Sequence, residues 1–376
     1  MTPLISHSSR LMKFVLVIII CMSPILPIPT IPAISWDFKT STHSNFCTVF
    51  SVSLGDKVYF GNNEDYRFKP ETSFISFIPP QEIPNFRNLP SFNYTLAIYG
   101  NTVVGSIIHQ NNQVFFSPQG GMNDQGLCFD ANSIPKQTLN NENGDWNPMD
   151  AHCDILWYCK TVEDVIAWYE THPVRYSPWT GQWNYVDASG AGVVVTATNG
   201  KLVFIEKNAS YLVSTNFNLA DPSSHYFEYP CWRYDKATDL LAEIDNESDL
   251  TVQACQEVLD ATHFEPNLFN DLHTMYSTIY DPIQKKVYLY FLYNFEEVVV
   301  FDIEEEFNKV NEIDNNHSFH SNLNDNSYLM KNFFNKTKLN VLTLNKETLI
   351  IIFGTFSILM FTIVIYRKKK KEKSRI

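Results

Sequence analysis

The chain of 376 residues lacks the short motifs that mark several large protein classes. It has no CxxC pair and no HExxH, so neither a structural zinc site nor a zincin-type protease has support. It has no GxGxxG and no P-loop, which removes the common nucleotide-binding turns. Positive charge is scarce: 28 Lys+Arg stand against 41 Asp+Glu, a net charge of -13. The two ends carry what there is, +6 over residues 367–376 and +2 over residues 1–35, which leaves -21 for residues 36–366. A body of that sign is not a general nucleic-acid binder, because phosphate binding needs a basic surface. The cysteines show none of the close spacings of a small disulfide scaffold. Apolar residues are not lacking, and 44% hydrophobic with 14% aromatic excludes a chain disordered throughout.

The ends read as targeting segments. Arg10 and Lys13 precede the apolar run Phe14 to Met22, and a small-x-small site follows at Ala33-Ile34-Ser35, so residues 1–35 are expected to be a signal peptide. Thr348 to Tyr366 is a run of 19 residues without a charge. As a helix it spans about 29 Å, the thickness of a hydrocarbon core. The basic stretch Arg367 to Lys371 follows at once, a positive-inside signal. The expected topology is single-pass type I, with a transmembrane helix over 348–366, a basic cytoplasmic tail over 367–376 and the acidic body outside. Residues 304–347 are rich in Asn, Asp, Glu, Lys and Ser, which predicts a solvated stalk. Sequons at Asn93, Asn208, Asn246, Asn316 and Asn335 fit a glycoprotein.

The body reads as α+β. Cys47 to Leu54 and Lys57 to Gly61 form a hairpin around Gly55-Asp56. Strands are expected at 72–78, 94–99, 103–109, 113–116 and 127–131, and helices from Met149 and Thr161. Strands follow at 192–198, 202–206 and 211–214, helices at 233–244 and 250–262, and a last hairpin at 275–280 and 286–293. Blocks of strands and helices in this order imply sheets covered by helical layers.

Cys47 opens the first strand, about a dozen residues after the expected signal cleavage. If residues 36–46 were a propeptide, its removal would place a thiol and an α-amine on one residue. A free α-amine has a pKa of about 7.7–8.0, suited to act as the thiol's base. Nucleophile and base then form a self-contained unit.

The motifs around Cys47 resemble the choloylglycine hydrolase and penicillin V acylase family of N-terminal nucleophile hydrolases. Cys47-Thr48-Val49-Phe50 through Gly61-Asn62-Asn63-Glu64-Asp65-Tyr66 is similar to the family's opening hairpin. Gln119 to Leu127 resembles its Gly-x-Asn turn, Ser214-Thr215-Asn216-Phe217 its Thr-Asn segment, and Cys231-Trp232-Arg233-Tyr234 the helix opening with its active-site arginine. The resemblance covers about residues 47–293. It implies a four-layer αββα sandwich over a catalytic domain at 47–303, and cleavage of a linear amide of a small N-acyl compound through a thioester, with no cofactor and no metal. It further implies Cys47 as nucleophile, Asp65 orienting its amine, Asn216 as an oxyanion donor with Asn132 as a second, and Arg233 beside the thiol. Asn62 stands where many relatives carry arginine, which removes one cation from the nucleophile's surroundings and resembles the penicillin acyltransferase branch. The abundant aromatics, Phe74, Phe77, Phe115, Phe116 and Phe129, suit either an apolar acyl pocket or the core. An acyltransferase and a catalytically silent ligand-binding ectodomain are the competing readings, and a homo-oligomer is compatible with all of them.

Overall fold

The structure is a computed structural model that describes residues 46–67, 73–80, 82–84, 94–96, 99–110, 113–139, 148–172, 179–222, 229–266, 271–313 and 327–330. The expected signal peptide, transmembrane helix and basic tail lie outside the described residues. Among the described residues, no helix is long and apolar enough to cross a membrane.

The chain opens on the hairpin β1 (Phe46–Leu54) and β2 (Lys57–Tyr66), followed by β3 (Ser73–Ile78) and the short pair β4 (Glu82–Pro84) and β5 (Tyr94–Leu96). Next come β6 (Asn101–Gln110), β7 (Gln113–Asn123) and β8 (Cys128–Gln137), then helices α1 (Pro148–Tyr158) and α2 (Val162–Thr171). Strands β9 (Trp179–Val186), β10 (Gly192–Thr198), β11 (Lys201–Glu206) and β12 (Tyr211–Ser214) precede helices α3 (Trp232–Ala242) and α4 (Val252–Thr262). The chain continues through β13 (His273–Asp281), β14 (Lys286–Phe291), β15 (Asn294–Asp302), α5 (Ile303–Ile313) and β16 (Ser327–Leu329).

The strands form a six-stranded sheet, β12-β1-β2-β13-β14-β15, and an eight-stranded sheet, β11-β10-β9-β8-β7-β6-β3-β16. Strand alternation divides the apolar residues between three layers of core. Val49 and Phe60 meet Ile75, Phe77, Met122 and Tyr276 between the two sheets. Phe50 and Val52 point the other way and pack with Ala237, Leu241, Val258 and Leu259 of α3 and α4. On the far side, Phe129 and Val195 pack with Ile155, Val165 and Trp168 of α1 and α2. Helices, sheet, sheet and helices therefore stack in the order that the motif resemblance implies.

Local signals explain the element boundaries. Gly55 takes the left-handed conformation (φ 58°) that the two-residue turn between β1 and β2 requires. Thr161 and Asp164 form a reciprocal capping box at the start of α2, and Thr251 caps α4 by accepting from Ala254 N. Asn63 ties β2 to its neighbours: its Nδ2 donates to Leu259 O (2.8 Å) and Thr262 Oγ1 (3.1 Å), and its Oδ1 accepts from Ser277 Oγ (2.6 Å). Asn63→Ala should destabilise the chain by about 1–3 kcal/mol, because buried partners lose their bonds. A urea titration checks this, and an unchanged midpoint would remove Asn63 from the framework.

Several elements depart from the expected pattern. β7 runs on to Asn123, well into the cluster that reads as a turn. β9 has no counterpart in the sequence reading, because its polar residues look solvent-facing; yet Gln182 and Asn184 are buried. The sequence reading ends the catalytic domain at residue 303 and begins a stalk at 304, but the chain continues there as α5, with Ile303 and Phe307 in the core between the sheets. Farther along, β16 pairs with β3 and Met330 is buried in the same core. The reason is composition: an Asn- and Glu-rich segment can still supply a few apolar residues to a sheet edge.

Candidate active site

The register of the first hairpin builds the site. Cys47 lies opposite Glu64 and Phe46 opposite Asp65 on β1 and β2. Pleating puts Cys47, Asn62 and Glu64 on the face toward the second sheet, with Val49 and Phe60, and puts Phe46 and Asp65 on the face toward α3 and α4. Cys47, Asn62, Glu64 and Asp65 are all buried.

Asn216, just past β12, holds the backbone at Cys47. Its Oδ1 accepts from Cys47 N (2.8 Å) and from Arg233 NH2 (2.9 Å), and its Nδ2 donates to Ser133 O (2.8 Å) at β8. The segment around it is fixed by Gln182, whose Nε2 donates to Thr215 O and Phe217 O, both at 2.8 Å. One N–H of the Asn216 amide goes to the Ser133 carbonyl, and its acceptor end faces the N–H of Cys47.

Arg233, in the first turn of α3, is completely buried. It donates to Cys47 O (2.6 Å) and Thr48 Oγ1 (3.3 Å) and lies 3.9 Å from Asp65 Oδ2. Its guanidinium carbon lies 5.6 Å from the Phe46 ring centroid and 5.4 Å from that of Phe264. Arg233 thus grips the backbone at Cys47 from the helix side of the sheet, while strand pleat turns the thiol to the opposite face. Asp65 accepts from Thr274 Oγ1 and sits against Arg233, next to the backbone from which a Cys47 amine would emerge.

Asn132 projects from β8 into the space between the sheets. Its Oδ1 accepts from Asn184 Nδ2 (3.0 Å) and from Ser214 Oγ, while its Nδ2 has no hydrogen-bond partner among the described residues. Ser214 in turn pairs with Val49 of β1, the strand that carries Cys47. Among the aromatics of the sequence reading, Phe77 belongs to the core between the sheets and Phe129 to the core under α1 and α2, so both serve packing. Phe74 is buried as well. The side chains of Phe115 and Phe116 lie outside the described residues.

Two buried acids escaped the sequence reading. Glu64 Oε2 lies 3.5 Å from Cys47 Sγ, placed to accept the thiol proton. Asp130 of β8 is fully buried, and its Oδ2 has no hydrogen-bond partner among the described residues. Burial, reinforced by the Asp65 charge, raises the Glu64 carboxyl to about 8, while hydrogen bonding with Cys47 and Asn62 opposes the rise. The Cys47 thiol is also raised, first by burial and then by the charges of Glu64, Asp65 and Asp130; Arg233 lowers it only as the least of these influences. Period-2 alternation would have put Glu64 on the face of Cys47, given the hairpin register, but sequence alone does not say that this face is covered.

This is an α+β protein whose first strand carries a buried cysteine, backed by Asp65, Asn216 and Arg233. The sequence matches no protein-family model and no curated protein. Solved structures do share the fold. A variant of the conjugated bile acid hydrolase of Clostridium perfringens aligns with a TM-score of 0.54 at 18% identity, over 69% of this chain and 93% of that one. A second mutant of the same hydrolase aligns at 0.52 and 17%, over 68% and 93%. The penicillin V acylase of Agrobacterium tumefaciens aligns at 0.51 and 14%, over 65% and 82%. Identities this low show a common fold, the one implied by the sequence motifs.

Proposed function

We propose that this chain is an N-terminal cysteine amidohydrolase that cleaves a linear, non-peptide amide of a small N-acyl compound. The observation that carries this reading is the hold on Cys47: its N–H on Asn216 Oδ1, its carbonyl on Arg233, and Asp65 against that arginine. Removal of the residues before Cys47 turns this amide nitrogen into an α-amine in the same position. The amine takes the thiol proton, sulfur attacks the acyl carbon, and the departing amine recovers the proton. Water then cleaves the thioester. The open Asn132 Nδ2 is the donor best suited to the developing oxyanion. Two of the proteins that share the fold are, by name, a conjugated bile acid hydrolase and a penicillin V acylase, which supports a hydrolase of this kind.

In this reading the domain is exported and tethered by residues 348–366, with the tail 367–376 inside. The exposed sequons Asn208 and Asn246 are available for glycans.

The test is the mass of the mature chain together with turnover of a panel of N-acyl amides. The expected result is an N-terminus at Cys47, with hydrolysis that hydroxylamine diverts into hydroxamate by trapping the thioester. A folded, active chain that still begins upstream of Cys47 would sink the mechanism. Acyl transfer to an added amine in preference to water would instead assign an acyltransferase.

A further inference from the structure

We infer that Glu64 is the base that activates Cys47 in the unprocessed chain, and so drives removal of the segment that precedes it. This rests on the reading above that Cys47 becomes the N-terminal nucleophile. Before cleavage the Cys47 nitrogen is an amide, bound to Phe46 and donating to Asn216 Oδ1, so it cannot take a proton from the thiol. Another acceptor is needed. Glu64 Oε2, 3.5 Å from Sγ, is in place, because the hairpin register sets Cys47 opposite Glu64 on the covered face of the sheet.

The surroundings suit the task. The titratable groups around Glu64 are Cys47 on β1, Asp65 on β2, Asp130 on β8 and Tyr276 on β13. Arg233 is the cation nearby, and it spends its bonds on Cys47 O, Thr48 and Asn216 on the far side of the strand. Burial and neighbouring acids leave Glu64 far more basic than an ordinary carboxylate, at about 8. That narrows the gap to the thiol and makes the proton transfer less costly.

The reaction balances with water as the only co-reactant. The Glu64 carboxylate takes the Sγ proton, and sulfur attacks the Phe46 carbonyl carbon. The bond from that carbon to the Cys47 nitrogen breaks, and Glu64 returns the proton to the leaving nitrogen. The products are a Phe46–Sγ thioester and a free Cys47 amine. Water hydrolyses the thioester, which releases the preceding segment as a carboxylic acid and restores the thiol. From then on the amine is available as base.

The experiment follows processing of the full-length chain by intact mass at several pH values, for the native protein and for Glu64→Gln. Native processing should quicken as pH rises through about 8, where Glu64 loses its proton. Glu64→Gln should process at least about 100-fold more slowly and lose that dependence, given the usual size of general acid–base effects. Native-like rates in a folded Glu64→Gln would overturn the inference while leaving the N-terminal nucleophile reading intact. A native chain never cut before Cys47 would overturn both. Should Glu64→Gln fail to melt cooperatively, Glu64→Asp carries the test. It is expected to process slowly with the alkaline dependence retained, and full speed without that dependence would refute the role.

Discussion

Cys47→Ala is expected to leave the chain folded, uncut before residue 47, and without amide hydrolysis. Cys47 is buried in β1, so trading its thiol for a methyl group removes little volume and should cost only a small part of the stability. The chemical loss is far larger. Deleting a nucleophile removes the covalent route itself, and what remains is the residual catalysis of positioned donors, so the rate should fall by at least about 1,000-fold. In the proposed mechanism the same sulfur serves processing and turnover, so the two losses are expected together. Intact mass and an N-acyl amide assay on one preparation measure both. A Cys47→Ala chain that is cut normally would assign the cleavage to another protease, and one that hydrolyses amides normally would place the chemistry elsewhere.

Arg233→Met should produce the largest loss of stability. Arg233 is fully buried, and its guanidinium joins three segments: β1 through Cys47 O and Thr48, the post-β12 segment through Asn216, and β2 through Asp65. Methionine fills the volume but leaves Asp65 buried without the charge opposite it. Breaking a buried pair by removing one partner costs about 3–5 kcal/mol, a large share of a typical folding free energy of about 5–15 kcal/mol. Arg233→Lys should recover part of that loss, since it keeps the charge but not the planar fork that reaches several acceptors at once. Urea midpoints of the three proteins check the order. A loss below about 1 kcal/mol in Arg233→Met would mean that Asp65 is neutral in the folded chain. Slower processing before Cys47 should accompany the instability, because Asn216 and Arg233 together hold the backbone N–H and carbonyl of Cys47.

Much of this site is visible in the chain itself. Cys47 at the head of an apolar strand, Gly55-Asp56 as the turn, and Asp65 near the end of the return strand place thiol and acid on one hairpin. The Ser214 to Phe217 and Cys231 to Tyr234 segments carry residues that do converge on Cys47. Capping residues such as Thr161 and Thr251 mark helix starts within a residue or two of where they occur. These signals are local: a turn needs its glycine, a helix its cap, and a strand its alternation.

What each side chain does was decided by tertiary contacts. Arg233 bonds to the Cys47 backbone from the face opposite the thiol, because α3 lies on that face of the sheet. Asn216 offers Cys47 its oxygen, because Ser133 O on the other sheet takes its nitrogen. Glu64 and Asp130 pass for surface acids in the sequence, as do Gln182 and Asn184 for surface amides, yet all four lie inside. Alternation along a strand states which residues share a face; only a second sheet laid over that face makes a carboxylate dry, raises its affinity for a proton and brings it to a thiol. That covering comes from the second sheet, whose β8, carrying Asp130 and Asn132, begins more than sixty residues past Glu64, and no local pattern around Cys47 encodes it.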